Sequence, residues 1–372
     1  MSVESASLYI HIPFCESKCD YCDFYSVTKK EDSLVDDYIK ALIEDIKYQI
    51  EYFNIKNIPT VYIGGGTPSV LGSKISVLLE TLNVIPYFSP EEFTIEANPE
   101  SLTEDFLSLC RNGGITRLSL GVQTFHEPSR FAVNRGFTRI EDRIKLALKY
   151  FPDSLSVDLI TGLPFQNEEI VIGDINKILE FNPAHVSLYS LTIEEGTPLE
   201  KRIKNKTVSL PACENADSLW LLGREALLNA GFHHYEVSNF AKEGKQCLHN
   251  IRYWQMLSWI GAGPAASGTI VDENTGEAKR YTYVSDIETY INKKNIVVEE
   301  ICRNTLLKDS LLMGFRYIKG NDPQVFKKRF GCEVRDCIPQ TLKKWEDKDK
   351  MLFLNQFISE AFIELDQSAF SS

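Results

Sequence analysis

Three closely spaced cysteines are the residues of this chain most able to do chemistry. Cys15, Cys19 and Cys22 have the spacing Cys-x3-Cys-x2-Cys and stand directly behind an apolar, strand-like run. An iron–sulfur cubane has four irons and normally takes four thiolates, so three cysteines leave one iron open to a small molecule. The spacing therefore favours a [4Fe–4S] cluster with one open iron.

Zinc and simple packing are the alternatives for these thiols. Asp20, Asp23 or His11 offers a fourth zinc ligand, but structural zinc sites usually have two ligand pairs separated by a loop, and no second pair stands nearby. Thiols buried only for packing seldom occur three times in eight residues among charged neighbours. Zinc is therefore the main alternative to the cluster.

The elements that must position these cysteines follow an alternating pattern. Six short apolar runs predict strands, and helical patterns lie between them. The strands are expected at residues 8–13, 60–64, 93–97, 117–122, 155–161 and 185–191, and the helices at 33–52, 73–85, 103–112, 139–150 and 168–181. Such alternation indicates βαβ units and a parallel sheet. Chemically distinctive residues follow nearly every strand, as on the C-terminal face of a barrel, so we predict an α/β partial (β/α)6 TIM-like barrel.

A glycine run, Gly64-Gly65-Gly66-Thr67, ends the second predicted strand. Residues without side chains let a backbone approach a ligand closely, although a tight turn between strand and helix would need them equally. The run is not a Walker loop, because no Gly-Lys-Ser/Thr follows it.

Four polar residues lie at or just beyond other predicted strand ends: Glu96, Gln123, Arg135 and Asp158. Each alone is as compatible with the surface, or with a hydrogen-bonded core position, as with a binding site. Their common placement points to one face of the barrel.

The cysteine motif behind a first strand resembles the signature of radical S-adenosylmethionine (SAM) proteins. That resemblance implies a radical SAM type of barrel, SAM chelated to the open iron, electron transfer into its sulfonium, and a 5′-deoxyadenosyl radical. It also implies SAM contacts from Tyr9, Tyr21, Gly65, Gly66, Thr67 and Glu96, and positions for a second SAM at Gln123, Arg135 and Asp158.

A second motif lies far downstream, in the aromatic-rich stretch His249-Asn250-Ile251-Arg252-Tyr253-Trp254. An exposed histidine near aromatic rings is able to ligate haem iron, whereas a capping or core histidine is the ordinary alternative. Together with the cysteine and glycine motifs, this motif resembles those of the HemW-type haem chaperones, which are relatives of oxygen-independent coproporphyrinogen III oxidase. The resemblance implies a haem-binding role for His249.

Phe24 distinguishes the haem chaperones from the porphyrinogen enzymes, because the porphyrinogen enzymes carry a further cysteine at this position. Phe24 therefore favours the chaperone branch. Two other residues depart from the family pattern: Phe137 and Ser267 stand where histidine is common.

Composition excludes some classes of function. The 372 residues are 43% hydrophobic and carry a formal charge of −12, which opposes binding to nucleic acid or anionic lipid. Neither a signal peptide nor an integral membrane segment is evident, so we expect a cytoplasmic protein. The other cysteines show no disulfide pattern, and Cys332-x4-Cys337 reads as two unrelated thiols; the six are Cys110, Cys213, Cys247, Cys302, Cys332 and Cys337.

We expect a barrel over residues 1–210, a barrel-covering segment over 211–304 that begins with a helix at 215–230, and a small accessory domain over 305–372 with helices at 309–315 and 323–330. The resulting hypothesis is a haem chaperone that holds a SAM-ligated [4Fe–4S] cluster and passes haem to an acceptor protein. The alternative is an oxygen-independent coproporphyrinogen III dehydrogenase, so enzymatic activity stays open. Both require an electron donor.

Overall fold

A computed structural model describes residues 2–28, 31–136, 138–293 and 295–367 of the chain. Phe137, one of the departures from the family pattern, lies outside the described residues. Among the described residues, no helix combines the length and the apolar character needed to cross a membrane.

The described residues form fourteen strands. They are β1 (Ser7–Ile12), β2 (Phe14–Cys15), β3 (Val27–Thr28), β4 (Thr60–Gly65), β5 (Glu92–Ala97), β6 (Arg117–Gln123), β7 (Leu155–Thr161), β8 (His185–Ser190), β9 (His233–His234), β10 (Asn239–Ala241), β11 (Trp259–Ala262), β12 (Ser267–Asp272), β13 (Glu277–Tyr283) and β14 (Ile296–Ile301).

Fifteen α-helices and one 3-10 helix, Pro68–Lys74, accompany these strands in the described part of the chain. The α-helices are α1 (Asp32–Tyr52), α2 (Ile75–Asn83), α3 (Glu104–Asn112), α4 (Glu127–Ala132), α5 (Ile140–Tyr150), α6 (Glu168–Phe181), α7 (Pro198–Lys204), α8 (Cys213–Asn229), α9 (Leu248–Trp254), α10 (Ile287–Lys293), α11 (Arg303–Gly314), α12 (Pro323–Phe330), α13 (Val334–Cys337), α14 (Pro339–Lys344) and α15 (Leu354–Asp366).

Twelve of the strands form one open sheet in the order β14–β13–β12–β11–β1–β4–β5–β6–β7–β8–β10–β9. The seven central strands, from β11 through β1 to β8, are parallel, and the strands on either side pair antiparallel. The ends of the sheet do not close on each other, which confirms the α/β fold class with an incomplete barrel. β2 and β3 form a separate parallel pair.

All six predicted barrel strands are present, as β1 and β4–β8. Apolar side chains and helix caps explain the intervening helices: the Thr103 side chain accepts from the Phe106 amide at 3.2 Å at the start of α3, and Asn167 caps α6 in the same way at 3.0 Å. The helix predicted at 73–85 begins in the last residues of the 3-10 helix, just after the kink at Gly72, where φ is +56°, and continues as α2.

The region behind the barrel strands was less predictable from sequence. The pattern after the helix at 215–230 predicts a loop-like stretch that ends with His249 to Trp254, but residues Leu248–Trp254 form the helix α9. The four-residue strand β11 adds a seventh parallel strand beside β1, and it was missed because so short a run carries little periodicity.

Two large apolar cores stabilise the chain. The main core lies between the parallel sheet and its helices, while a second core joins β11–β14 to the C-terminal helices around Trp345 and Phe357. The domain boundaries at residues 210 and 304 stay predictions. Because the central strands are parallel, their C-terminal ends form one end of the incomplete barrel and their N-terminal ends form the other. Candidate functional residues lie at both ends.

Candidate functional site

The three cysteines lie at the C-terminal end of β1. Cys15 belongs to β2, where it pairs with Thr28 of β3, and the Cys22 amide donates to the Cys19 carbonyl at 3.1 Å within the intervening loop. Cys15 is 8% exposed, and the other two thiols are half-buried. All three are free thiols that line one cavity of about 350 Å³.

This donor set fits a cluster better than a zinc ion. In the described part of the chain, no three His, Cys, Asp or Glu side chains lie close enough together to hold one metal ion. The potential zinc partners are engaged elsewhere, since Asp20 accepts from Arg202 at 2.5 Å and the His11 Nε2 atom lies 2.8 Å from the Tyr25 carbonyl. A cubane instead takes each thiolate on a different iron, which suits cysteines spread around a cavity wall.

The glycine run is fixed against the first strand. Its Gly66 amide donates to the Ile12 carbonyl and the Thr67 amide to the Phe14 carbonyl, both at 2.8 Å. A Cβ atom on Gly66 would lie only 2.7 Å from the Phe14 carbonyl oxygen, so glycine is required by packing there. The Thr67 hydroxyl donates to the Cys15 sulfur at 3.5 Å, which joins the run to the cysteine site.

Glu96 contributes a buried carboxyl group to the same cavity. It accepts hydrogen bonds from the Tyr62 hydroxyl at 2.7 Å and from the Gly65 amide at 3.1 Å. Burial raises the pKa of Glu96 to about 7, and the nearby Asp158 acts in the same direction. Its charge therefore changes near neutral pH.

A second set of polar side chains lines the same cavity, from β6, from β7 and from the loop after α4. Ser119 donates to both carboxylate oxygens of Asp158 at 3.1 Å, and the Arg135 guanidinium lies 3.7 Å from Glu100. Burial raises the pKa of Asp158 above its ordinary value. The Arg135 guanidinium thus lies near partly buried carboxyl groups.

Two buried polar atoms in this group have no hydrogen-bond partner among the described residues: the Gln123 Oε1 and the Arg135 Nε. Gln123 also has a φ of +66°, at the point where the register between β6 and β7 shifts. Buried polar atoms are nearly always hydrogen-bonded, and backbone strain tends to collect at binding sites. Both observations fit a polar ligand in this cavity.

The structure brings most of the predicted site residues to one place. The cavity is lined by Cys15, Cys19, Cys22, Tyr21, Gly65, Gly66, Thr67, Glu96, Gln123, Arg135 and Asp158. Tyr9 does not line it: its hydroxyl lies 3.0 Å from the His11 Nδ1 atom and its ring stacks on Tyr62. The SAM contacts assigned to these residues, including Tyr9, stay predictions.

Other lining residues were not assigned from sequence. Asn98 donates to the Thr67 hydroxyl at 3.0 Å, and Ser119, Tyr189 and Phe24 also face the cavity. Asn98 follows Glu96 by two residues, and Ser119 precedes Gly121 by two, so the two-residue period of a strand was the signal available. Phe24 is 66% exposed at the cavity mouth.

His249 lies at the opposite end of the barrel. The Glu92 carboxylate, at the N-terminal end of β5, accepts from the amides of Leu248 and His249 at 3.1 and 3.0 Å and so caps α9. A strand rises roughly 3.3 Å per residue, so Glu92 and Glu96 are about 13 Å apart along β5. Helix α9 therefore closes the barrel at the end away from the cysteines.

The imidazole of His249 is buried, with an exposed fraction of 1%, and this corrects the expectation of an exposed histidine. Its Nδ1 atom lies 2.9 Å from the Thr60 hydroxyl and its Nε2 atom 3.0 Å from the Tyr253 hydroxyl. Burial lowers the pKa of His249 to about 3, so the ring is neutral at pH 7. Iron ligation by His249 stays a prediction, and it requires one of these hydrogen bonds to open.

Comparisons with known proteins agree with this geometry. A family model described as the radical SAM superfamily matches residues 9–178. A protein of Lactococcus lactis named Heme chaperone HemW is 33% identical over 88% of this chain and 85% of its own length. The Escherichia coli protein of the same name is 38% identical over 71% of this chain and 70% of its own length. The chain belongs to the HemW family of radical SAM proteins.

Proteins with other names are also similar to this chain. The mouse protein named Radical S-adenosyl methionine domain-containing protein 1, mitochondrial, is 32% identical over 84% of this chain and 73% of its own length. The solved structure of coproporphyrinogen III oxidase (HemN) from Escherichia coli matches the fold with a TM-score of 0.79 at 21% identity, covering 96% of this chain and 90% of that one. The fold class is thereby confirmed.

Proposed function

We propose that this HemW family member is a haem chaperone, which binds haem and a SAM-ligated [4Fe–4S] cluster and transfers haem to an acceptor protein. The observation that carries the proposal is its similarity, over most of the chain, to relatives named Heme chaperone HemW. Phe24 supports it, because an apolar ring stands at the cavity mouth where the porphyrinogen enzymes are expected to carry a thiol.

We assign the cluster to Cys15, Cys19 and Cys22, whose free thiols line one cavity. When bound, the cluster supplies an electron to the SAM sulfonium. The chain's own polar groups would hold and orient SAM: Glu96 offers a partly buried carboxylate, and the Gln123 Oε1 atom, which has no partner among the described residues, offers an acceptor. Gln123, Arg135 and Asp158 remain the proposed positions for a second SAM.

Haem ligation by His249 is the less direct part of the proposal. The ring is held between Thr60 and Tyr253, and its helix is capped by Glu92. A haem that binds His249 must therefore displace the Tyr253 hydroxyl or the Thr60 hydroxyl, and the aromatic side chains of α9 must rearrange around the macrocycle.

Oxygen-independent coproporphyrinogen III dehydrogenase is the second candidate function. The intact polar cavity favours it, because Arg135 and the buried carboxyl groups could orient a second cofactor as the porphyrinogen branch requires. In that case the substrate is a porphyrinogen, and a radical generated from SAM removes hydrogen from a propionate side chain.

Anaerobic reconstitution followed by two parallel assays tests these functions. We expect the reconstituted protein to bind haem in an absorbance titration and to deliver it to an apo-haemoprotein, while coproporphyrinogen, SAM and reductant yield no protoporphyrinogen at useful turnover. Sustained protoporphyrinogen formation would overturn the chaperone proposal; SAM cleavage alone would not, because uncoupled cleavage fits both functions.

His249→Ala tests the proposed iron ligand within the same titration. We expect weaker haem binding than in His233→Ala, which removes a mostly exposed histidine and serves as the control. Unchanged haem affinity in a folded His249→Ala protein would remove His249 from the proposal. The acceptor protein, the electron donor and a cytoplasmic location remain predictions.

A further inference from the structure

A second cavity, of about 540 Å³, lies in the C-terminal region and is separate from the cysteine cavity. Its wall is built from the segment after α11, from α13 and α14, from the segment that precedes α15, and from α15 itself. The volume lies in the range of small-molecule sites, which is roughly 300–1,000 Å³. His249 lines neither cavity.

The floor of this cavity is apolar and aromatic. Phe315 and Phe357 meet edge to face with centroids 4.7 Å apart, and the fully buried Trp345 packs on Phe357 at 5.6 Å. These rings are nearly fully buried, and the accessible apolar lining comes from Ile318, Val334, Leu342 and Met351. Such a surface gains free energy by covering a flat apolar ligand.

The rim carries cations that are available to a ligand. Lys319, Lys348 and Lys350 line the cavity, and none of them pairs with a carboxylate in the described part of the chain. Lys348 lies 4.9 Å from the centroid of the Trp345 ring and Lys350 lies 5.5 Å from that of Phe357, so both ammonium groups are held over the apolar floor.

The carboxylates of the same rim are mostly engaged. Asp349 pairs with Arg224 of α8 at 2.6 Å, and Glu333 pairs with Lys327 at 3.1 Å and with Arg335. Glu346 is the lining carboxylate left outside an ion pair among the described residues. The rim therefore has an excess of free cations, although the whole chain carries a formal charge of −12. This arrangement complements a ligand that is flat, apolar and anionic at its edge.

Tyr317 adds a group that can bind iron. It lines the cavity, its hydroxyl makes no hydrogen bond among the described residues, and its backbone is held by a β-bridge to Glu236. A tyrosine phenolate is one of the known protein ligands of haem iron. No histidine lines this cavity within the described residues.

From these contacts we propose that the C-terminal cavity is a haem site distinct from His249. The macrocycle lies against the accessible apolar side chains of the lining, Ile318, Val334, Leu342 and Met351, the propionates face the free lysines, and Tyr317 ligates ferric iron. The inference rests on the proposed haem-chaperone function and adds to it a second place where the chain holds its cargo.

Titration of the full chain with ferric haem tests the site. We expect Tyr317→Phe to weaken binding roughly tenfold, with loss of the phenolate-to-iron charge-transfer band, while Tyr48→Phe on α1 changes neither. We expect Lys350→Glu to weaken binding by a similar factor, because it replaces the ammonium group proposed to face a propionate with a negative charge. Lys56→Glu is the matched control, since Lys56 lies 5.5 Å from the Tyr87 ring centroid on a distant surface.

Metal-free protoporphyrin separates the two contributions. Its binding should be weakened by Lys350→Glu and unaffected by Tyr317→Phe, because it lacks the iron that Tyr317 binds. Thermal unfolding of each variant shows whether a loss of binding reflects unfolding instead, and Lys319→Glu then provides an independent rim variant.

The outcomes distinguish this inference from the proposed function. If the wild-type chain binds haem and the cavity variants bind it equally well with unchanged spectra, the C-terminal site is wrong and the chaperone proposal stands. If the wild-type chain binds no haem, both are wrong. A loss of the charge-transfer band in folded Tyr317→Phe, with His249→Ala retaining it, would establish the C-terminal site.

Discussion

The two ends of the parallel barrel carry similar polar residues but arrange them differently. At the C-terminal end, cysteines, carboxyl groups and an arginine surround a cavity, and some of their buried polar atoms lack partners among the described residues. At the N-terminal end, Glu92 and His249 are buried, and both nitrogens of the imidazole are hydrogen-bonded within the chain. The Arg117 Nη2 and Trp254 Nε1 atoms at this end also lack a hydrogen-bond partner among the described residues, so what distinguishes the C-terminal end is the cavity that its unpaired atoms line.

Glu92 shows how tightly the plugged end is built. Besides capping α9, its carboxylate accepts from the Cys247 thiol at 3.3 Å and lies 3.8 Å from the buried Arg117 guanidinium. The helix that carries His249, which the sequence suggested as a cofactor ligand, is thus linked through Glu92 to the starts of β5 and β6. Four predictions test whether the two ends differ in this way.

The largest effect is expected at the open end. Cys19→Ala should abolish nearly all iron incorporation on anaerobic reconstitution, because a cubane cannot be held firmly by two thiolates of this site. Iron content and the visible absorbance of the cluster are the measurements. Cys302→Ala, which removes an exposed thiol, should keep full incorporation. Normal iron content in Cys19→Ala would contradict the assignment.

A large loss of stability is expected at the plugged end. Glu92→Ala should lower the free energy of unfolding by about 3–5 kcal/mol, because it removes the carboxylate beside the buried Arg117 guanidinium and the acceptor of the first amides of α9. Urea unfolding measures the change. Glu104→Ala breaks an exposed pair with Lys149 and should change stability little. Equal effects of both variants would remove the contrast between the ends.

A moderate, pH-dependent effect is expected for Glu96. If its carboxylate contacts the cationic SAM, affinity should rise as pH increases through the pKa of about 7, by up to about tenfold across the transition. Glu96→Gln should remove this dependence in equilibrium binding measurements. Asp174→Asn is the control, since burial raises the pKa of Asp174 to about 6 outside the cavity. A pH profile retained in Glu96→Gln would assign it to another group.

The smallest effect concerns the protonation of His249. Its pKa falls from 6.5 in the unfolded chain to about 3 in the folded one, so the unfolded state binds the proton first. Stability due to this neutral ring is complete above pH 6.5 and is lost as pH falls from 6.5 towards 3. Between about pH 7 and about pH 5.5 the loss should be about 1 kcal/mol.

His249→Gln isolates that contribution, because the glutamine amide can hydrogen-bond but does not titrate. The difference in unfolding free energy between wild type and variant should shrink as pH falls, whereas His233→Gln should leave the wild-type pH dependence unchanged. A difference that is constant with pH would mean that His249 is more accessible to protons than its burial indicates.

Sequence reasoning succeeded where chemistry is local. The cysteine spacing, the glycine run and the six barrel strands each depend on neighbouring residues, and the parallel direction of the strands brought Glu96, Gln123 and Asp158 to one end as expected. It did not predict the burial of His249, because the motif specifies which side chains are present and not what packs over them. Thr60 and Glu92, which bury and cap it, are more than 150 residues away in sequence.

By itself, the sequence determined which side chains are candidate ligands, the alternation of strands and helices, and the membership of a radical SAM family. These depend on residue identity and short spacing. Only the tertiary structure decided that His249 is enclosed at the closed end of the barrel and that a cationic, aromatic cavity forms among the C-terminal helices. The physical reason is that burial, hydrogen-bond partners and cavities arise from contacts between distant segments, and local patterns do not encode those contacts individually.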